Sequence, residues 1–77
     1  MNNQADYQFI LEETLSELRE RAERIQLNSA YEEGRLMAYY EILSEAINQA
    51  QVVGLEQDDI GLKGFRADGL LKKARAA

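Results

Sequence analysis

Ser29-Ala30-Tyr31-Glu32 is the stretch on which the reading of the fold turns. A Ser followed three residues later by a Glu, at the start of an apolar-periodic run, is the signature of a capping box. In that motif each side chain satisfies an unpaired backbone N–H at a helix start. The segment before it, residues 6–27, and the segment it opens, residues 30–53, each carry an apolar stripe at helical spacing. A helix start between two such stripes predicts two helices, with Gln26-Leu27-Asn28 as the turn between them. One continuous helix would have to hold Asn28, Ser29 and Gly34 in its interior against their helix propensities, Gly34 at a cost of about 1 kcal/mol. Two helices sharing so short a turn fold back as an antiparallel hairpin.

The two stripes differ in width. In the first segment Leu11, Leu15, Leu18, Ala22 and Ile25 follow the 4-3-4-3 spacing of a heptad seam, widened on one side by Tyr7, Ile10 and Thr14. Charged residues cover its back, where Glu17 with Arg21 and Glu20 with Arg24 stand at i,i+4 in the favourable order. Phe9 points away from the stripe. In the second segment Leu36, Tyr40, Leu43, Ile47 and Ala50 repeat the seam, flanked by Tyr39, Ile42, Ala46 and Val53 on one side and Met37 on the other. That arc covers more than half the helix, wider than the ~100° stripe of an ordinary surface helix. Such a helix needs two neighbours: the first helix, and either the tail or a second copy of the chain.

Beyond the hairpin the pattern shortens. Gly54-Leu55 reads as a helix stop with Gly in the left-handed C′ conformation. Residues 56–61 can form one short helical turn, and Gly61, Gly64 and Gly69 punctuate a loop that carries Leu62 and Phe65. Asp68 is placed to cap a last helix over residues 69–75, with Lys72, Lys73 and Arg75 suited to its negative end. The expected fold is therefore all-α: a hairpin domain over residues 1–61 and a short, loosely attached basic helical segment over residues 62–77. Two copies are expected to dimerise into an antiparallel four-helix bundle, with Leu36, Tyr39, Tyr40, Leu43 and Ile47 at the interface.

Composition narrows the function. The chain has 77 residues, 45% hydrophobic and 30% charged, with a net charge of −5 and no Cys, His or Pro. The missing Cys and His remove thiolate metal sites, disulfides and the commonest general base. A core of this size leaves only about 3–5 kcal/mol without such staples, so packing or oligomerisation must supply the stability. No apolar run approaches the ~18 residues of a membrane span, and the N-terminus lacks the basic and apolar regions of a signal peptide, so a cytoplasmic protein is expected. Residues 1–61 hold thirteen acids and four bases, whereas residues 62–77 hold five bases and one acid. The acidic body argues against a general nucleic-acid binder; the basic cluster Lys63, Arg66, Lys72, Lys73 and Arg75 keeps that class open.

The remaining constellations carry no chemistry. Glu41 and Glu45 share a helix face beside the stripe, where a solvated acidic surface is the simpler reading, and the Glu-x-x-His pairs of di-iron bundles are missing. Asp58-Asp59 before Gly61 does not fit the alternating register of a calcium loop, and residues 61–66 do not fit a P-loop. Gly34-Arg35 reads as an exposed Gly and a surface charge, and Tyr31 suits a rim or interface position. No catalytic residue, cofactor site or metal site is expected. The leading expectation is a small non-enzymatic helical adaptor, regulator or inhibitor that acts by protein–protein binding as a homodimer. The alternatives are a nucleic-acid-associated regulator using the basic segment and an acidic mimic of DNA.

Overall fold

The computed structural model describes residues 3–76, and among them all regular structure is helical. Helix α1 spans Gln4–Arg24, α2 spans Ala30–Val52 and α3 spans Ala67–Ala76, with a 3-10 turn at Gln57–Ile60 between α2 and α3. The first helix starts two residues before the expected boundary because Asn3 and Asp6 form a capping box, each side chain accepting from the other's backbone N–H at 3.0 and 3.3 Å. It also stops earlier, since Ile25 has extended backbone (ψ 130°). Ile25 and Leu27 thereby become turn residues that still pack into the core.

At the start of α2 the Ser29 hydroxyl accepts from the Glu32 N–H at 3.3 Å. The reciprocal half of the expected box is replaced, because the Glu32 carboxylate accepts from Arg35 at 3.1 Å. At its other end Gly54 is left-handed (φ +80°), with Gly54 N–H bonded to the Gln51 carbonyl and Leu55 N–H to the Ala50 carbonyl at 2.8 Å. That is a Schellman stop, as the Gly-Leu pair predicts.

The hairpin is antiparallel. Leu11 and Leu15 lie beside Ala46, Ala50 and Val53 at its open end, and Arg21 and Ile25 lie beside Glu32 and Arg35 at its turn end. The tail returns along one flank. Ile60, Leu62, Phe65 and Leu70 are buried with Leu15, Ala22, Leu36, Leu43 and Ala50 in one core. The first turn of α3 lies near Ser44, Ile47 and Asn48, and its last turn reaches α1, where Lys73 Nζ donates to the Glu23 carbonyl at 3.3 Å. α3 thus runs from mid-hairpin to the turn end and packs mainly on α2.

This corrects two expectations. The segment after residue 61 is not loosely attached, because its apolar side chains fill the second side of the wide arc on α2. The last helix begins at Ala67, so Asp68 sits inside its first turn, where it pairs with Arg66 at 3.6 Å and Lys72 at 3.9 Å.

The tail turns inward at Gly61, which is left-handed (φ +82°). A Cβ on Gly61 would stand 2.6 Å from the Glu12 carbonyl oxygen of α1, a backbone atom with no room to yield. Gly is therefore required here twice over, by conformation and by close approach. The loop beyond is tied by Gln57, whose amide nitrogen donates to the Leu62 and Phe65 carbonyls at 2.9 and 2.6 Å. Gly61→Ala should lower the free energy of unfolding by about 2 kcal/mol or more, since the left-handed penalty alone is about 1–2 kcal/mol. Urea denaturation checks this, and Gly64→Ala, left-handed but with open space around it, should cost less.

Candidate interaction face

Helical periodicity divides the hairpin into two broad faces. Glu12 and Arg19 of α1 and Ser44 and Ile47 of α2 face the tail. On the opposite side α1 presents Tyr7, Ile10, Leu11, Thr14, Leu18 and Arg21, three or four residues apart. α2 presents Tyr31, Arg35, Ile42, Ala46, Gln49 and Val53 beside them at the same periodicity. We call this the outer face.

The exposed large apolar residues gather there. Tyr7 (61%), Ile10 (60%), Leu11, Ile42 (51%), Val53 (70%) and Tyr31 all lie on the outer face, and Leu55 adjoins it at the open end. Phe9 and Val52 are exposed elsewhere. Scattered single apolar residues on a surface are ordinary, whereas a contiguous apolar strip marks an interaction site. The strip runs into a groove of about 220 Å³ between the helices, lined by Leu11, Leu15, Ala46, Ala50, Val53 and Leu55. A rim groove of about 320 Å³ beside Tyr7, Leu55 and Asp59 continues it around the open end.

At the turn end the same face changes character. Arg21, Arg24 and Arg35 border an open cleft of about 500 Å³ with Asn28, Ser29 and Glu32. Each arginine has a carboxylate close by: Arg21 Nε lies 3.1 Å from Glu17, Arg24 3.8 Å from the same group, and Arg35 3.1 Å from Glu32. The Glu17–Arg21 pair is the one expected, whereas Arg24 turns to Glu17. The Tyr39 side chain, and then the Glu32 carboxylate, push the Arg35 guanidinium further up, so it is a permanent cation. Its Cζ also stands 5.9 Å over the Tyr31 ring.

The residues expected at a dimer interface differ in what they leave exposed. Leu36 and Leu43 are completely buried within the single chain, and Tyr39, Tyr40 and Ile47 are half-buried against the same core. Leu36 and Leu43 therefore have no surface to offer a partner in this conformation. The tail covers Ile47, whereas Tyr39, between Arg35 and Ile42 at helical spacing, lies on the outer face.

The basic cluster is partly committed to the fold. Arg66 and Lys72 flank Asp68, Lys73 reaches the Glu23 carbonyl, and Lys63 lends its own carbonyl to Arg19. No groove-reading element accompanies it. Among the described residues no three acidic side chains converge as a metal site would require, and no helix is long and apolar enough to cross a membrane.

Arg19 is the residue that periodicity alone misplaces. On α1 it reads as part of the wet back, yet its Nη1 donates to the Lys63 carbonyl at 2.6 Å and its Nε pairs with Glu23 at 3.2 Å. Its Cζ lies 5.4 Å over the Phe65 ring. No sequence signal marks it, since its partners Lys63 and Phe65 lie in a loop 44 or more residues further on. No family model, curated protein or solved structure matches this chain.

Arg19→Ala should destabilise the fold by about 1–3 kcal/mol, the range for a hydrogen bond to a charged group plus a part-exposed cation–π contact. Arg19→Lys, which loses the planar fork, should fall between it and the unaltered protein. Thermal unfolding by circular dichroism reads both.

Proposed function

We propose that this protein is a small non-enzymatic helical interaction protein that works by protein–protein binding as a homodimer. In it, two hairpins meet through their outer faces to build a four-helix bundle. The observation that carries the reading is the concentration of exposed large apolar side chains on the one hairpin face left uncovered by α3. A short three-helix protein has little core to spare, so an apolar strip on its surface needs a use.

The molecule's shape supports the same reading. Its radius of gyration is 13.6 Å and its extents are 44 × 23 × 16 Å. A compact domain of this length would have a radius of about 11.5 Å. The excess is two long helices backed over only part of their length by a short third one.

Two helices of about 32 Å, side by side at roughly 10 Å, offer roughly 600 Å² per copy. Twice that is the lower end of specific interfaces, which begin near ~1,200 Å² in total. Affinity across such a face depends on its anchoring side chains rather than on its area. The lack of His and Cys supports the non-enzymatic part of the reading.

Sedimentation equilibrium at tens of micromolar tests this. The protein should fit a monomer–dimer equilibrium, and Ile42→Asp, in the middle of the outer face, should raise the dissociation constant at least about tenfold, or ~1.4 kcal/mol. Phe9→Asp, exposed off that face, should leave it unchanged. A strictly monomeric protein, or equal sensitivity at both positions, would overturn the reading.

A further inference from the structure

The exposed apolar residues are not spread evenly along the hairpin. Tyr7, Ile10, Leu11, Val53 and Leu55 crowd the open end, against Ile42 at the middle and Tyr31 near the turn. The inter-helix groove and the rim groove adjoin there, since Leu11, Leu55 and Ile60 line both. Their volumes of about 220 and 320 Å³ together fall within the ~300–1,000 Å³ of ligand clefts. Tyr7, Gln8, Gln49 and Asp59 supply the polar side chains of the walls, and the rest is aliphatic.

The surroundings carry one sign of charge. Residues 1–18 and 36–62, which build this end and the middle of the hairpin, contain acids but not one Lys or Arg. Glu17 apart, none of those acids is ion-paired among the described residues. Asp59 lies in the wall itself, with Asp58 exposed beside it. Glu45 adjoins the opposite wall, where its Oε1 accepts from Gln49 Nε2 at 2.8 Å.

We infer that this open-end groove is a docking site for a basic amphipathic helix of another protein. Its apolar side chains enter the groove and its Lys or Arg residues lie over the acidic rim. A trough between two helices suits the i, i+3, i+4 and i+7 anchors of a helix laid into it. The unpaired carboxylates repel an acidic segment. Toward a basic one they add little affinity, being exposed, but they steer the encounter and select the partner.

A second copy does not offer such a segment. Arg21, Arg24 and Arg35 are already paired with Glu17 or Glu32. In α3 Lys73 is bonded to the Glu23 carbonyl and Leu70 is buried in the chain's own core. The inference therefore goes beyond the homodimer proposed above. The two surfaces overlap at Leu11, Ala46 and Val53, so the groove is filled by one occupant at a time.

Fluorescence anisotropy tests this with a labelled peptide of about 18 Leu and Lys residues, patterned as an amphipathic helix, in about 0.1 M NaCl. The peptide should bind saturably at or below about 100 µM protein, and two control peptides, one with Glu for Lys and one with Ser for Leu, at least about tenfold more weakly. Tyr7→Ser with Val53→Ser removes apolar walls, and Glu45→Lys with Asp58→Lys inverts part of the rim. Each pair should weaken binding about tenfold or more. Glu20→Lys with Glu33→Lys makes the same change of net charge away from the groove and should alter binding by less than about threefold, because the Debye length is about 10 Å. All these positions are exposed, and circular dichroism checks that each variant keeps the fold.

Equal binding of the Ser-containing peptide, or equal weakening by the two lysine pairs, reduces the attraction to net charge and overturns the docking site. So does a Leu and Lys peptide that does not bind. None of these results touches the homodimer, which is read by sedimentation without peptide. A chain that is monomeric alone yet binds the peptide through these residues overturns the homodimer and leaves the docking site standing.

Discussion

The approach of Gly61 to the backbone of Glu12 is the constraint on which the rest of the molecule depends. Only a residue without a Cβ fits there, and only a left-handed backbone turns the chain inward at that point. Leu62 follows immediately and is fully buried, with Phe65 and Leu70 after it. These three side chains close the flank of α2 that an isolated hairpin would leave open. A wide apolar arc on one helix and a tight reversal against another are thus two halves of one packing solution.

That solution is held by few polar contacts, one local to the loop and two spanning a long stretch of chain. Gln57 bonds two loop carbonyls, Arg19 joins α1 to the Lys63 carbonyl and the Phe65 ring, and Lys73 ties the last helix to the end of α1. A loop with two glycines, Gly61 and Gly64, has much conformational entropy to lose, and contacts that satisfy its own carbonyls offset part of that cost. The arrangement uses one side of the hairpin completely. The other side remains apolar and open, most of all toward the open end of the hairpin. Self-association through the outer face is the use of that asymmetry that we favour, because a second copy would cover the exposed apolar side chains.

Much of the fold was legible in the residues. The Ser29 cap, the Gly54-Leu55 stop and the heptad seams locate the hairpin and its core positions, since caps and periodicity depend on neighbours at most four residues away. The short turn before Gly61 and a last helix rich in Lys and Arg were legible for the same reason. The start of α1 was less so, because Asn3 and Asp6 form a cap before the apolar stripe begins.

What the sequence by itself determined is which residues are helical, that α2 must be covered on two sides, and that the body is acidic while the tail is basic. What only the tertiary structure decided is which element supplies the second cover and which face is left over. Leu36 and Leu43 could have met a second copy or the tail; in both cases they would be buried, and local spacing cannot distinguish the two. The choice falls to the tail because Gly61 lets Leu62 and Phe65 reach α2 along a flank that Arg19 then closes. That long-range packing leaves Ile42 and Val53, flanking residues in the sequence, exposed on the outer face.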